Sequence, residues 1–281
     1  GSVLRASAVK EYALEHGLPV LQPVKMKDPE FVEQLREYNA DLQVVVAFRM
    51  LPEVIWDMPR FGTFNVHAAL LPQYRGAAPI NWAVINGETK TGVTTFFLDH
   101  DIDTGRIIMQ REFPIPDDAD VEYVYDGLME LGADICQDTV DLVISTDGNV
   151  PSQPQREDIE LKAAPKIFKE TCQIDWNNNA KRIYDFVRGL SPYPGTWTTL
   201  ASNSETEKTE ASIIKIFKTC KTGINCNGTA PGTMKTENTK LMVAANDEWL
   251  DIVELQAAGK KRMAARDFLN GFKHITDMHM K

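Results

Sequence analysis

The residues with the clearest chemistry in this chain are Asn65, His67 and Asp103. Asn65-Val66-His67 closes an apolar run and leads into a turn marked by Pro72 and Gly76. Thirty-six residues after His67, Asp103 stands in the loop Leu98-Asp99-His100-Asp101-Ile102-Asp103-Thr104-Gly105. A carboxamide can donate to an oxygen that gains negative charge, a His can move protons near neutral pH, and an Asp can fix the His tautomer or raise its basicity. The three together suit acyl transfer to a nucleophile that a substrate brings. Neither a protein nucleophile nor a metal is expected, because there is no Gly-x-Ser-x-Gly elbow and Cys136, Cys172, Cys220 and Cys226 show no Cys-x-x-Cys spacing. Alone, an Asn-x-His after a strand also fits a capped turn with a hydrogen-bonded His.

The surrounding sequence predicts the elements that carry these groups. Helices are expected over 9–16, over 28–38 with Asp28 as N-cap and Pro29 at the first helical position, over 78–86 closed by Gly87, and over 121–144. Residues 42–48 form a continuous apolar run with a Val triplet, which predicts a parallel strand covered on both faces. Strands are also expected over 63–67, 91–98 and 107–113, and a turn from Pro52 leads into 53–56. Strand ends of such α/β sheets are where chemistry is placed. From Ser145 to about Pro165 the chain is polar and Pro-dotted, which marks a linker. Beyond it come a helix over 179–190, stopped by Ser191-Pro192, and short β-like runs at 196–200, 212–218, 240–244 and 250–255. That is the cadence of a small β-barrel. Residues 201–209 read as a polar hairpin loop.

The net charge of −10 divides unevenly, into −14 over residues 1–165 and +4 over 166–281. An acidic half joined to a mildly basic one suits a protein with one face along a phosphate backbone, and equally a solvated surface of uneven charge. At 281 residues there is room for two domains, and no apolar run is long enough to span a bilayer. Four scattered cysteines and no positively charged, apolar leader point to a cytoplasmic protein.

The longer pattern resembles a known family. Asn65-Val66-His67, Leu70-Leu71-Pro72, Arg75-Gly76-Ala77-Ala78-Pro79-Ile80, Trp82-Ala83 and Asp103-Thr104-Gly105 are similar to the enzymes that use 10-formyltetrahydrofolate. Pro165-Lys166-Ile167, Ile174-Asp175-Trp176, Arg188 to Gly195, Leu255-Gln256, Gly259 to Met263 and Phe268 to Gly271 extend the likeness to the methionyl-tRNA formyltransferases. The resemblance implies a Rossmann-like, mostly parallel α/β domain over 1–145, a linker over 146–168, and an OB-like β-barrel over 169–281. It implies formyl transfer from 10-formyltetrahydrofolate to the α-amine of methionyl initiator tRNA, by a monomer without metal. Asn65 would hold the oxyanion, His67 would move the proton and Asp103 would orient His67.

The same likeness assigns the folate pocket to Phe48, Arg49, Met50 and Leu51 with Phe97, Leu98, Asp99, His100 and Asp101. It assigns tRNA phosphates to Lys260, Lys261 and Arg262, with Arg188 and Lys166 as further candidates, and Lys181 and Arg182 as similar ones. Arg75 could face either substrate or make a salt bridge. The family's opening strand, Gly-Thr-Pro-type loop, helix and second strand are expected before the segment that matches Val3 onward, and the sequence shows none of them. The alternatives are a tRNA-binding chain impaired in catalysis and a related enzyme acting on an amino-sugar nucleotide.

Overall fold

The structure is a computed structural model that describes residues 5–46, 50–202, 212–272 and 275–281. Its contacts divide it into two units, Gly1–Gln43 with Phe48–Thr63, and Val44–Ala47 with Phe64–Lys281.

The first unit holds α1 (Ala8–Glu15), α2 (Pro29–Arg36) and α3 (Glu53–Trp56). Ser7 caps α1 by accepting from the Lys10 N–H, and Asp28 caps α2 by accepting from the Glu30 N–H, with Pro29 where no amide donor is needed. Val32 and Ile55 are its buried apolar anchors. Thr63 donates its hydroxyl to the Trp56 carbonyl at 2.7 Å.

A four-stranded sheet, in the second unit except for Gln43 and Thr63, runs in the order β1-β2-β4-β5, built from β1 (Gln43–Val46), β2 (Thr63–His67), β4 (Lys90–Phe97) and β5 (Ile107–Pro114). β2 and β4 pair antiparallel, as do β4 and β5, so the flank that carries the site is antiparallel. β1 departs from the expectation of a strand covered on both faces: Val44 and Val46 are exposed.

The two-residue β3 (Arg75–Gly76) and α4 (Pro79–Ile85) lie between β2 and β4, and α5 (Val121–Ser145) packs against β4 and β5. Val93, Ile115, Val124, Leu128 and Ile135 form the core between them. The stretch read as a linker is pinned along its length. Gln153 and Ile107 exchange backbone hydrogen bonds at 2.8 and 2.9 Å, and β6 (Ala163–Ala164) pairs parallel with β3.

The remainder of the unit is α6 (Ala180–Leu190) and an antiparallel sheet of β7 (Thr196–Ser202), β8 (Ser212–Asn225), β9 (Met234–Glu237), β10 (Lys240–Ala244), β11 (Glu248–Ala257), β12 (Met263–Ala264) and β13 (Met278–Met280), with α7 (Ala265–Gly271). Its order is β13-β7-β8-β11-β10-β9, with β12 on β11. The strip curls nearly closed, because β13 pairs with β7 on one side while Met280 donates its N–H to the Gly232 carbonyl at 2.9 Å on the other. Ile214, Ile216, Leu241, Leu250, Ile252 and Leu255 fill the inside, with Ile183 and Val187 of α6 laid against them. Alternation along the strands sends every second side chain inward. Of the hairpin-loop reading of 201–209, residues 203–209 lie outside the described ones, and Ala201 and Ser202 end β7.

Candidate active site

Asn65 and His67 are two apart on β2 and therefore share one face of the sheet. Across the ladder Asn65 pairs with Phe96, whose ring meets the His67 imidazole edge-on at 6.3 Å between centroids. His67 is 6% exposed. Its Nε2 lies 2.9 Å from the Tyr74 carbonyl oxygen. That oxygen can only accept, so Nε2 carries the hydrogen and Nδ1 is the atom left to exchange a proton. Nδ1 faces Asp103 Oδ2 at 3.9 Å, and the same Oδ2 accepts from the Gly76 N–H at 2.9 Å. A doubly protonated ring would thus have an acceptor before each N–H.

Two turns deliver these acceptors. At Gly76 the backbone is left-handed, with φ of +125°, and a Cβ would sit 2.5 Å from the Ala164 oxygen, so only glycine fits against β6. At Gly105 a Cβ would overlap the Phe97 carbonyl, which explains why the Asp103 loop needs glycine two residues on to return along β4. Asp103 itself has a φ of +56°.

Tyr74, which holds His67, is held in turn. Its hydroxyl donates to Glu88 Oε1 at 2.6 Å, and Lys162 Nζ donates to the same oxygen at 2.5 Å. Burial, reinforced by the Glu88 carboxylate, pushes the Tyr74 phenol well above the usual tyrosine range. Burial alone would raise the Glu88 carboxyl, but the hydrogen bonds from Lys162 and Tyr74 outweigh it and hold it below the ordinary glutamate range. A lowered carboxyl stabilises the fold fully above its unfolded value of 4.5 and loses that contribution as pH falls through the lower folded value. Replacement Glu88→Gln is accordingly expected to flatten the fall of melting temperature below about pH 4.5. An unchanged acid limb in the variant would exclude this carboxylate as a source of acid lability.

Asn65 Oδ1 is buried and has no hydrogen-bond partner. A buried polar atom in that state costs about 1–3 kcal/mol unless something fills it. It faces the same side of the sheet as His67, and a ligand with a polar hydrogen would satisfy it.

The other expected residues are distributed as follows. Phe48 and Arg49 lie outside the described residues. Met50 is exposed and Leu51 half-buried, just before α3. Phe97 ends β4, Leu98 packs with Leu71, Phe96 and Ile107, and Asp99, His100 and Asp101 are exposed at the tip of the loop. Arg75 is used internally: its Nε and Nη2 donate to Gln155 Oε1 at 3.0 and 2.7 Å.

Lys166, Lys260 and Lys261 are exposed, and Arg262 is ion-paired with Glu254 over the Phe217 ring. Lys181 is paired with Asp185, and Arg182 is exposed. Arg188 corrects the expectation of a phosphate contact. It is 7% exposed and points inward, with Nε on Asp185 Oδ1 at 2.8 Å and Nη1 on the Ala119 carbonyl at 2.8 Å. With Nη1 also on the Pro116 carbonyl at 3.2 Å, the guanidinium is held inside the protein rather than presented at its surface.

Sequence reasoning missed Gln155, Tyr74, Glu88 and Lys162. None of them sits in a chemically suggestive spacing. Among the described residues no group of three or more His, Cys, Asp or Glu side chains is arranged to hold a metal, and no helix is long and apolar enough to cross a membrane.

This architecture, an α/β sheet with Asn-x-His at a strand end followed by a nearly closed antiparallel barrel, is a fold of formyl-transferring proteins. WlaRD, a sugar 3N-formyl transferase whose crystal structure was solved in the presence of dTDP and 5-N-formyl-THF, superposes with a TM-score of 0.63 at 18% identity over 90% of this chain and 82% of its own. HypX from Aquifex aeolicus, solved in complex with tetrahydrofolic acid, gives 0.59 at 19% over 87% of this chain and 41% of its own. The chain belongs to the formyl transferase family: the family's formyl transferase model matches residues 2–140 and its C-terminal domain model matches residues 166–273. It is 57% identical over 281 residues to a methionyl-tRNA formyltransferase of Parabacteroides distasonis, spanning 99% of this chain and 85% of that one. A protein of the same name from Bacteroides fragilis is 54% identical over 99% of this chain and 84% of its own.

Proposed function

We propose that this chain transfers the formyl group of 10-formyltetrahydrofolate to the α-amine of methionine esterified to initiator tRNA. The observation that carries the reading is the buried, unpartnered Oδ1 of Asn65, on the same strand face as an imidazole whose Nδ1 is directed at a carboxylate. The names of its relatives, at up to 57% identity over almost the whole chain, support the substrate pair.

In this reading the amine nitrogen attacks the formyl carbon and the carbonyl becomes an oxyanion. The Asn65 amide N–H donates to that oxyanion, and its Oδ1 accepts from the attacking amine. His67 Nδ1 takes the proton from the amine and returns it to the folate nitrogen as the carbon–nitrogen bond breaks, giving formylmethionyl-tRNA and tetrahydrofolate. Asp103 steadies the charged ring meanwhile. Backbone groups of the loop from Phe97 to Asp101 hold the pterin. Lys166, Lys260, Lys261 and Arg262 follow tRNA phosphates, contacts that position rather than specify.

The reading is tested by supplying 10-formyltetrahydrofolate with either methionyl initiator tRNA or an amino-sugar nucleotide and measuring the formylated product. Product from the tRNA alone is expected. Product from the sugar nucleotide alone would move the chain to that substrate class, and none from either would sink the reading.

A further inference from the structure

We propose that Gln155, in the segment between the two family regions, is a positioning residue that sets the Asp103 carboxylate against His67. The proposal rests on the reading above for its effect on rate, and on geometry alone for its effect on the loop. Gln155 is 8% exposed, and its carboxamide is saturated. Nε2 donates to the Asp103 carbonyl at 2.7 Å and to the Gly105 carbonyl at 2.9 Å. Oε1 accepts from both Nε and Nη2 of Arg75.

These bonds close a ring. Gln155 holds the backbone of Asp103; the Asp103 carboxylate holds the Gly76 N–H; Gly76 follows Arg75, and Arg75 returns to Gln155. The same connecting segment is fastened on either side of Gln155. Arg106 donates to the Ser152 hydroxyl at 3.0 Å, Gln153 bridges to Ile107, and the Ala77 N–H donates to the Ala164 carbonyl at 2.8 Å. Asp103 has left-handed backbone, a conformation that persists where surrounding bonds over-determine it. The carboxylate is therefore oriented by two turns that one side chain ties together.

The chemistry of the amide decides the test. Gln155→Glu keeps the size of the side chain and strengthens its bond to Arg75. It replaces the amide NH2, the source of both donations, with one oxygen that faces two carbonyl oxygens, so it loosens the Asp103 loop alone. The expected result is a loss of at least about tenfold in kcat with KM for both substrates within about twofold. Because Gln155 acts through Asp103, the same replacement in an Asp103→Asn background is expected to cost less than about twofold. The Gly76 amide, which donates to the Asp103 carboxylate, is expected to exchange with solvent faster in Gln155→Glu. Ser152→Ala, which leaves the Asp103 and Gly105 carbonyls untouched, is the control and should keep kcat.

Equal losses in the two backgrounds, or a folded Gln155→Glu with unchanged kcat and unchanged Gly76 exchange, would reduce Gln155 to a plain structural strap. If Gln155→Glu does not fold, Gln155→Met gives the same measurements without the added charge. If the unaltered chain transfers no formyl group, the functional reading fails, while Gly76 exchange still decides the positioning claim.

Discussion

His67→Ala is expected to lower the rate of formyl transfer by about 10²–10⁴-fold, the span that a positioned acid-base group typically supplies. The structure makes the cause specific. Nε2 is committed to the Tyr74 carbonyl, so only Nδ1 can take up the substrate proton, beside the Asp103 oxygen that would face the resulting N–H. Alanine removes the proton carrier and leaves the Tyr74 carbonyl without its donor, which adds a stability cost of about 1–3 kcal/mol. His67→Gln separates the two effects. Its amide nitrogen reaches toward the position of Nε2 and can satisfy Tyr74, but it cannot carry a proton. Steady-state transfer and thermal melting on both variants check this: stability is expected to recover in the glutamine variant and rate is not. A glutamine variant that keeps more than about a tenth of the rate would remove His67 from proton transfer.

Arg188→Met is expected to destabilise the fold by about 3 kcal/mol, at the lower end for an ion pair broken by loss of one buried partner. Asp185 has a side chain only 5% exposed and would keep just Lys181, whose ammonium is half in solvent. The Ala119 carbonyl would lose its donor as well. Replacing both partners, with Arg188→Met and Asp185→Leu together, should recover most of the loss, because no charge is then left buried. Urea unfolding of the two variants measures this. The salt dependence of tRNA binding should be the same in the single variant as in the unaltered chain, since the number of phosphate contacts sets its slope and the Arg188 side chain is buried. A double variant as unstable as the single one would mean that packing around the guanidinium, rather than its charge, holds α6.

The parts of the site that were legible in sequence are those where a strand ends in chemically expressive residues. Asn65 and His67 close an apolar run, and Asp103 stands two residues before a glycine whose absent Cβ the loop requires. Gln155 was invisible because its role depends on carbonyl oxygens that any sequence would supply. Arg188 read as an outward cation because one-dimensional charge carries no direction, and its inward turn is set by Asp185, a single helical turn before it. Four barrel strands were readable as short β-like runs between turn clusters, but β9, β12 and β13 were not. β9 is four residues long, and its turn to β10 uses Asn238 and Thr239, both with positive φ, where the familiar signal would be Asn-Gly.

The contact of α4 with α6 carries a lesson about inheritance. The family is matched in two blocks, over residues 2–140 and 166–273, yet Asn81 of α4 donates to the Gly189 carbonyl of α6 at 2.8 Å, and Ile85 packs with Leu190 in one buried cluster. A gene recombined between the blocks would bring together two helices that had not been selected against each other. Crossovers that respect the block boundary therefore still cut through a packed surface, and the heritable unit of this protein is longer than either block.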